Sequence, residues 1–173
     1  MSSLLENLVD VLDRECALYE KLLELSSRKT PVIIQRDLKE LSKITEDEQV
    51  VVSFINAVDK EREGVMDNIA EVIGEKGNDL KLTDLVRMLN SRPAEQKALA
   101  IKRDRLKEVS TNVQRVNDQN QMLLQSSLEM VQYEMNIIQS ARRAPETANY
   151  TRYAGTRGDR IGVAMTGRFD AKQ

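Results

Sequence analysis

Two groups of residues have side chains that enzymes use, but their surroundings argue against catalysis. Cys16 is the single cysteine, and it lies beside an apolar stripe of helical period. That setting indicates a small packed side chain rather than an activated nucleophile. The carboxylates of residues 46–48 could serve acid–base chemistry, but a run of charges is typical of the solvated side of a long helix. We interpret both groups as structural.

Other common sites of chemistry are missing from the sequence. The chain has no histidine, which excludes catalytic triads and metal sites built on imidazole. Gly74 and Gly77 are not followed by the Lys-Ser/Thr pair of a phosphate-binding loop. We therefore expect a protein that is not an enzyme and that has neither a cofactor nor a metal site.

The first helix is predicted over residues 3–28. Ser3-Leu4-Leu5-Glu6 has the form of a capping box, in which the hydroxyl and the carboxylate bond the first free N–H groups. Apolar residues then recur every seven positions, at Leu4, Val11, Leu18 and Leu25.

A second helix is predicted over residues 31–73. Thr30 is a good N-cap and Pro31 suits the first helical position, since its missing N–H would be unpaired there. Heptad spacing is sustained along this segment, which is typical of a coiled-coil-like helix. One row holds Ile44, Val51, Val58, Val65 and Val72; a neighbouring row holds Ile34, Leu41, Glu48, Ile55, Arg62 and Ile69.

The remaining sequence predicts a short helix over 83–91, a long helix over 93–142, and a different kind of tail. Four of the seven glycines fall in residues 144–173, without a sustained apolar period. We expect an all-α, antiparallel bundle of three long helices over residues 1–143, followed by a flexible tail over 144–173.

Short connections make consecutive helices antiparallel, and the predicted lengths then set their overlap. The first helix would cover only the early half of the second. Residues 58–73 and 93–112 would form a two-helix extension, with the short helix over its tip. The side chains left partly exposed there would be those of Val58, Val65, Ile69, Val72, Leu99 and Leu106.

Charge and termini indicate a cytoplasmic protein. The net charge is −2, but residues 142–173 carry seven basic and three acidic side chains, so the tail is +4 and the rest −6. This balance gives little support to nucleic-acid binding. The sequence begins without the basic and apolar regions of a signal peptide, and no apolar run of about 18 residues predicts membrane insertion.

The late part of the last helix is more apolar than one buried stripe requires, which favours a docking face. Its apolar residues are Leu123, Leu124, Leu128, Met130, Val131, Met135, Ile137 and Ile138. Polar residues also interrupt the apolar rows, at Glu48, Arg62, Asn117 and Asn120. Such residues either fix helix register or contact a partner, and the sequence leaves both roles open.

The order of these features resembles the FlgN-type flagellar export chaperones. The similarity covers about residues 3–140. It rests on Leu8, Leu12, Glu15, Tyr19 and Leu22 in the first helix, on Leu38, Leu41, Glu48 and Arg62 in the second, and on Asn117, Asn120, Leu123, Leu124, Ser127 and Leu128 in the last.

The resemblance implies a function. The partners would be the hook-associated proteins of the hook–filament junction, bound through their terminal helices and delivered to the flagellar type III secretion apparatus. Binding would prevent premature assembly, and export-gate components would be further partners. By position, the implied binding residues are Leu124, Leu128, Val131, Met135, Ile138, Tyr150 and Tyr153.

A second hypothesis is a structural coiled-coil protein that acts by self-association. A homodimer would bury the same late stripe without a cargo. The two hypotheses differ in solution, because the chaperone is expected to be a monomer or weak dimer that gains mass with its cargo.

Overall fold

The computed structural model describes residues 2–75 and 80–143, and their only regular structure is helical. The helices are α1 (Ser2–Gln35), α2 (Leu38–Ile73), α3 (Leu82–Met88) and α4 (Pro93–Arg143), with a 3₁₀ turn over Leu89–Ser91. The predicted all-α class of long helices is confirmed. Residues 144–173, the predicted flexible tail, lie outside the described residues, so the domain boundary at 143/144 stays a prediction.

The sequence predicts that the first helix ends before Pro31. In the structure the helix continues to Gln35, with the proline inside it. Proline removes one N–H from the helical ladder and crowds the preceding turn. The turn after Pro31 is held by packing, since Ile33 is buried and Val32 packs against a core cluster. The burial of these two side chains offsets the local cost of the proline.

The break between α1 and α2 lies instead at Arg36 and Asp37. Arg36 has a positive φ of 57°. Asp37 caps α2, because its carboxylate accepts a hydrogen bond of 3.1 Å from the Glu40 N–H. The other end of α2 stops at Gly74, whose φ of 78° is the left-handed conformation common at helix ends.

The longer α1 runs antiparallel to the whole of α2, so the predicted two-helix extension is wrong. Near the break, Lys29 pairs with Glu48; farther along, Arg14 pairs with Glu61. Leu5, close to the start of α1, shares a core cluster with Ile69 near the end of α2.

Two core clusters lie along α1. One joins its middle to α2 and α4, with Leu22, Leu25, Ile44, Val51, Ile55 and Val113 as buried members. The other closes the far end of the bundle and includes α3, with Leu5, Leu8, Leu12, Ile69, Leu85, Val86, Leu89 and Leu99. Of the six side chains expected to be partly exposed at a tip, Ile69 and Leu99 are therefore buried, whereas Val72 is exposed.

The chain forms two compact units, Met1–Met130 and Val131–Gln173. The first holds both core clusters. The second includes the last residues of α4. In the described part of the chain, none of the helices has the length and apolar character needed to cross a membrane.

Candidate partner-binding surfaces on helix α4

The first two predicted binding residues, Leu124 and Leu128, lie on α4 in the first unit. Leu124 is half-buried, and Leu128 is 69% exposed. Leu124 lines a cavity of about 320 Å³, whose other apolar side chains are Leu22 and Val52. The cavity lies between α1, α2 and α4, so Leu124 forms part of a groove while Leu128 stands in solvent.

Three more predicted residues, Val131, Met135 and Ile138, lie on the part of α4 that belongs to the second unit. Their exposed fractions are 40%, 54% and 54%. Tyr133 and Ile137 are exposed in the same segment. We call residues 131–138 the distal segment of α4. Large apolar side chains at helical spacing in water are typical of a surface that another chain covers. The remaining two predicted residues, Tyr150 and Tyr153, lie outside the described residues.

Asn120, one of the polar residues on the apolar rows, is a buried connection between α4 and α1. Its Nδ2 donates to the backbone carbonyl of Ser26 at 2.7 Å, and its Oδ1 accepts from the Thr30 hydroxyl at 2.6 Å. Ser26 and Thr30 lie about one turn apart on α1, so a single side chain of α4 bonds two successive turns of that helix.

Glu48 is buried beside this connection and joins α2 to α1. Its Oε1 accepts from the Ser26 hydroxyl, and its Oε2 accepts from Lys29 Nζ, both at 2.8 Å. The two contacts satisfy both carboxylate oxygens, as a buried charge requires. We call Ser26, Lys29, Thr30, Glu48 and Asn120 the polar layer. The third interrupting residue, Asn117, is exposed.

Arg62 pairs with Glu15 of α1, whose carboxylate is buried. From the sequence, Glu15 was notable only as one of the residues that carry the family resemblance. Arg62 Nε lies 3.2 Å from Glu15 Oε2, although neither atom has a hydrogen bond of good geometry. Burial raises the pKa of the Glu15 carboxyl, and the nearby Arg62 charge opposes that rise. The sequence does contain a signal for a role of Glu15 between the helices, because Glu15 precedes Lys29 by two heptads and so lies on the same face of α1.

Cys16 is buried, and burial raises the pKa of its thiol, which keeps the less nucleophilic protonated form. Within residues 2–75 and 80–143, no cluster of three or more Cys, Asp or Glu side chains is placed to hold a metal ion. The candidate binding features of the described surface are therefore its grooves and its exposed apolar side chains.

A comparison with protein families identifies the family of the chain that carries these surfaces. The model of the family described as FlgN protein matches residues 1–158. The chain belongs to the FlgN family of flagellar export chaperones. The match extends past the described residues and includes both predicted tyrosines, Tyr150 and Tyr153. Searches of curated proteins and of solved structures found no match. FlgN proteins form a chaperone family, so the exposed side chains of α4 belong to a protein that holds other proteins.

Proposed function

We propose that this FlgN protein is a cytoplasmic chaperone of the hook-associated proteins that form the hook–filament junction. It binds their terminal helices, prevents their premature assembly and delivers them to the flagellar type III secretion apparatus. The binding residues are Leu124, Leu128, Val131, Met135 and Ile138 on α4, with Tyr150 and Tyr153. Export-gate components are further proposed partners.

The exposure of the late part of α4, in a chain of the FlgN family, carries this proposal. Every residue from 128 to 143 is exposed. Residues 131–138 include five large exposed hydrophobic side chains. A helix of a cargo protein would cover such side chains by helix-in-groove recognition, with anchors spaced by three or four residues.

The expected energy is moderate. Burying one Leu, Val, Ile or Met side chain contributes about 1.5–3 kcal/mol when the side chain starts fully exposed. These side chains are already about half covered, and a partner helix must also lose conformational freedom on binding. The surface therefore suits a cargo that is held and then released.

Light scattering after size exclusion tests the proposal, first with the chain alone and then with hook-associated proteins from the same cell. The test variant replaces Leu128, Val131 and Ile138 with Ser. Its matched control replaces an exposed Leu, Val and Ile away from the late part of α4, by Leu38→Ser, Val50→Ser and Ile101→Ser. Both variants remove the same side-chain types from water-exposed positions.

We expect a mainly monomeric chain that forms a defined complex with a junction protein. The test variant should weaken that complex at least about tenfold, which corresponds to about 1.4 kcal/mol, while the control variant binds like the wild type. A stable dimer that ignores the junction proteins, and that the test variant makes monomeric, would instead support a structural protein acting by self-association.

A further inference from the structure

Another cavity of the first unit, of about 330 Å³, is lined by residues from α1, α2, α3 and α4. The lining residues are Glu15, Tyr19, Arg62, Leu82, Arg103, Leu106, Lys107 and Ser110. None of them is a proposed cargo-binding residue. On α4, Leu124, the first cargo-binding residue, lies fourteen residues beyond Ser110, which is about 21 Å at about 1.5 Å per residue. We call this cavity the four-helix pocket.

Part of the pocket wall is apolar and is held in place by the core. Tyr19, Leu82 and Leu106 line the pocket and are half-buried. Leu82 and Leu106 pack against the core cluster at the far end of the bundle, whereas Tyr19 packs against the cluster in the middle of α1. Because the core anchors each of these side chains, the pocket is preformed and can enclose an apolar side chain of a ligand.

The rest of the wall is mainly charged, and its one carboxylate is already paired. Glu15 is 3% exposed, and its Oε2 lies 3.2 Å from Arg62 Nε. Arg62 also pairs with Asp59, which lies one turn earlier on α2. The charges of Glu15 and Arg62 therefore offset each other, so a charge that is available to a ligand must come from α4.

Two cations of α4, Arg103 and Lys107, supply that charge. They lie one helical turn apart, and both line the pocket. Arg103 pairs with its neighbour Asp104 at 2.8 Å, but the Asp104 side chain is 65% exposed, and exposed ion pairs contribute little. Among the described residues, Lys107 has no ion-pair partner. The pocket thus places positive charge beside apolar side chains.

From this combination we infer that the four-helix pocket binds a segment of a partner protein that carries an acidic side chain beside a large apolar one. The apolar side chain lies against the Tyr and Leu wall, and the carboxylate contacts Arg103 and Lys107. Opposite charges of this kind speed association and select the partner. A small inorganic anion would leave the apolar wall uncovered. The chain's own tail has the wrong charge, because residues 142–173 carry seven basic and three acidic side chains.

A synthetic peptide provides the probe. It has about 18 residues, enough for a helix in water when rich in Ala, and one face carries two Leu and two Glu, with each Glu one turn from a Leu. One control peptide has Gln in place of both Glu, and the other has Ala in place of both Leu. Binding of the fluorescently labelled peptides to the full chain is measured by anisotropy. We expect each control peptide to bind at least about fivefold more weakly than the probe.

Charge reversal locates the binding. The double variant Arg103→Glu/Lys107→Glu should weaken the probe at least about fivefold, and a peptide with Lys in place of both Glu should bind this variant better than the wild type. The control double variant Lys97→Glu/Arg115→Glu changes the net charge equally at exposed positions of α4 that do not line the pocket, and should alter binding less than about twofold. The single variant Lys107→Glu changes only an exposed side chain, so it tests the same contact without disturbing the fold.

Several outcomes would overturn the inference. Equal binding of the probe and the Gln peptide would show that the carboxylates are not recognised. Equal binding of the probe and the peptide without Leu would reduce the pocket to a general anion site. Equal weakening by both double variants would show a field effect of the whole helix. A chain that dimerises alone and becomes monomeric with Lys107→Glu would place a second copy in the pocket.

This test stands apart from that of the proposed function. The Leu128, Val131 and Ile138 triple Ser variant leaves the four-helix pocket unchanged, so it should bind the probe like the wild type. Loss of the junction-protein complex with normal probe binding would therefore concern the cargo-binding residues alone.

Discussion

Asn120 offers a test of how a buried polar side chain stabilises the contact between α4 and α1. Replacement by Ala removes the hydrogen bonds to the Ser26 carbonyl and the Thr30 hydroxyl. Ser26 is fully buried, so water cannot replace the lost donor without rearrangement. An intramolecular hydrogen bond contributes about 0.5–1.5 kcal/mol to stability, and this substitution removes two. We expect Asn120→Ala to lower the unfolding free energy by about 2 kcal/mol, or the melting temperature by several degrees.

The control is Asn117→Ala. Asn117 lies almost one turn earlier on the same helix, is exposed, and has no hydrogen-bond partner among the described residues. Its replacement should change the unfolding free energy by no more than about 0.5 kcal/mol. Urea unfolding followed by circular dichroism measures both variants, because the described core is helical.

A double-mutant cycle with Thr30→Val tests one of the two bonds directly. This substitution removes the hydroxyl that donates to Asn120 Oδ1. Asn120→Ala should then cost at least about 0.5 kcal/mol less in that background than in the wild type. An equal cost in both backgrounds would refute a contribution from this hydrogen bond.

Three further predictions concern burial and backbone conformation. Folding raises the pKa of Glu15 above its ordinary value of 4.5, so the contribution of Glu15 to stability is present below pH 4.5 and is lost as the pH rises through the raised pKa. The unfolding free energy of the wild type should therefore fall with rising pH relative to that of Glu15→Gln. Parallel pH curves for the two proteins would contradict this prediction. Cys16 should react with a thiol reagent only on unfolding, so rapid labelling of the native chain would show that it is accessible. Gly64→Ala should stabilise the chain by up to about 1 kcal/mol, because Gly64 lies inside α2 and the added methyl contacts no other atom. Gly74→Ala should destabilise the chain by about 1 kcal/mol, because residue 74 has a positive φ. Melting temperatures that shift in the same direction for both variants would contradict this prediction.

The class of fold and the exposure of late α4 could be predicted because both follow from apolar periodicity. Rows with a period of seven specify long helices. A stripe wider than one packing face specifies surplus apolar surface, and the structure exposes Leu128, Met135 and Ile138 accordingly. These properties depend on each helix alone, so one sequence is sufficient to predict them.

The end of α1 could not be predicted from local signals alone. Thr30-Pro31 has the local form of a helix start, whereas the packing of Val32 against a core cluster and the burial of Ile33 favour the continuation of α1 past it. The same error shortened α1 and produced the incorrect two-helix extension. The competing signal was Asp37, with Glu40 three residues later, which is also a helix-start pattern.

The roles of the polar residues that interrupt the apolar rows depend on contacts between helices, so the sequence alone leaves these roles open. Glu48 and Asn120 each match one face of a helix, but their partners lie on another. Their burial in the polar layer is consistent with a structural role. Asn117 is exposed and remains available to a partner.

The ion pairs between α1 and α2 also restrict which alignments the hairpin can adopt. Heptad rows repeat, so a slide of α2 along α1 by two heptads would keep apolar side chains facing each other. In the observed alignment Lys29 meets Glu48. Two heptads away, Glu15 meets Arg62. A slide of two heptads in one direction would set Glu15 against Glu48, and in the other would set Lys29 against Arg62.

Both misalignments would set like charges against each other between the helices, which is destabilising. The order of charges along the two helices therefore disfavours alignments shifted by two heptads. Such selectivity is useful to a protein that presents apolar helical surface to other chains, because a hairpin without it could exchange its own helix for a foreign one.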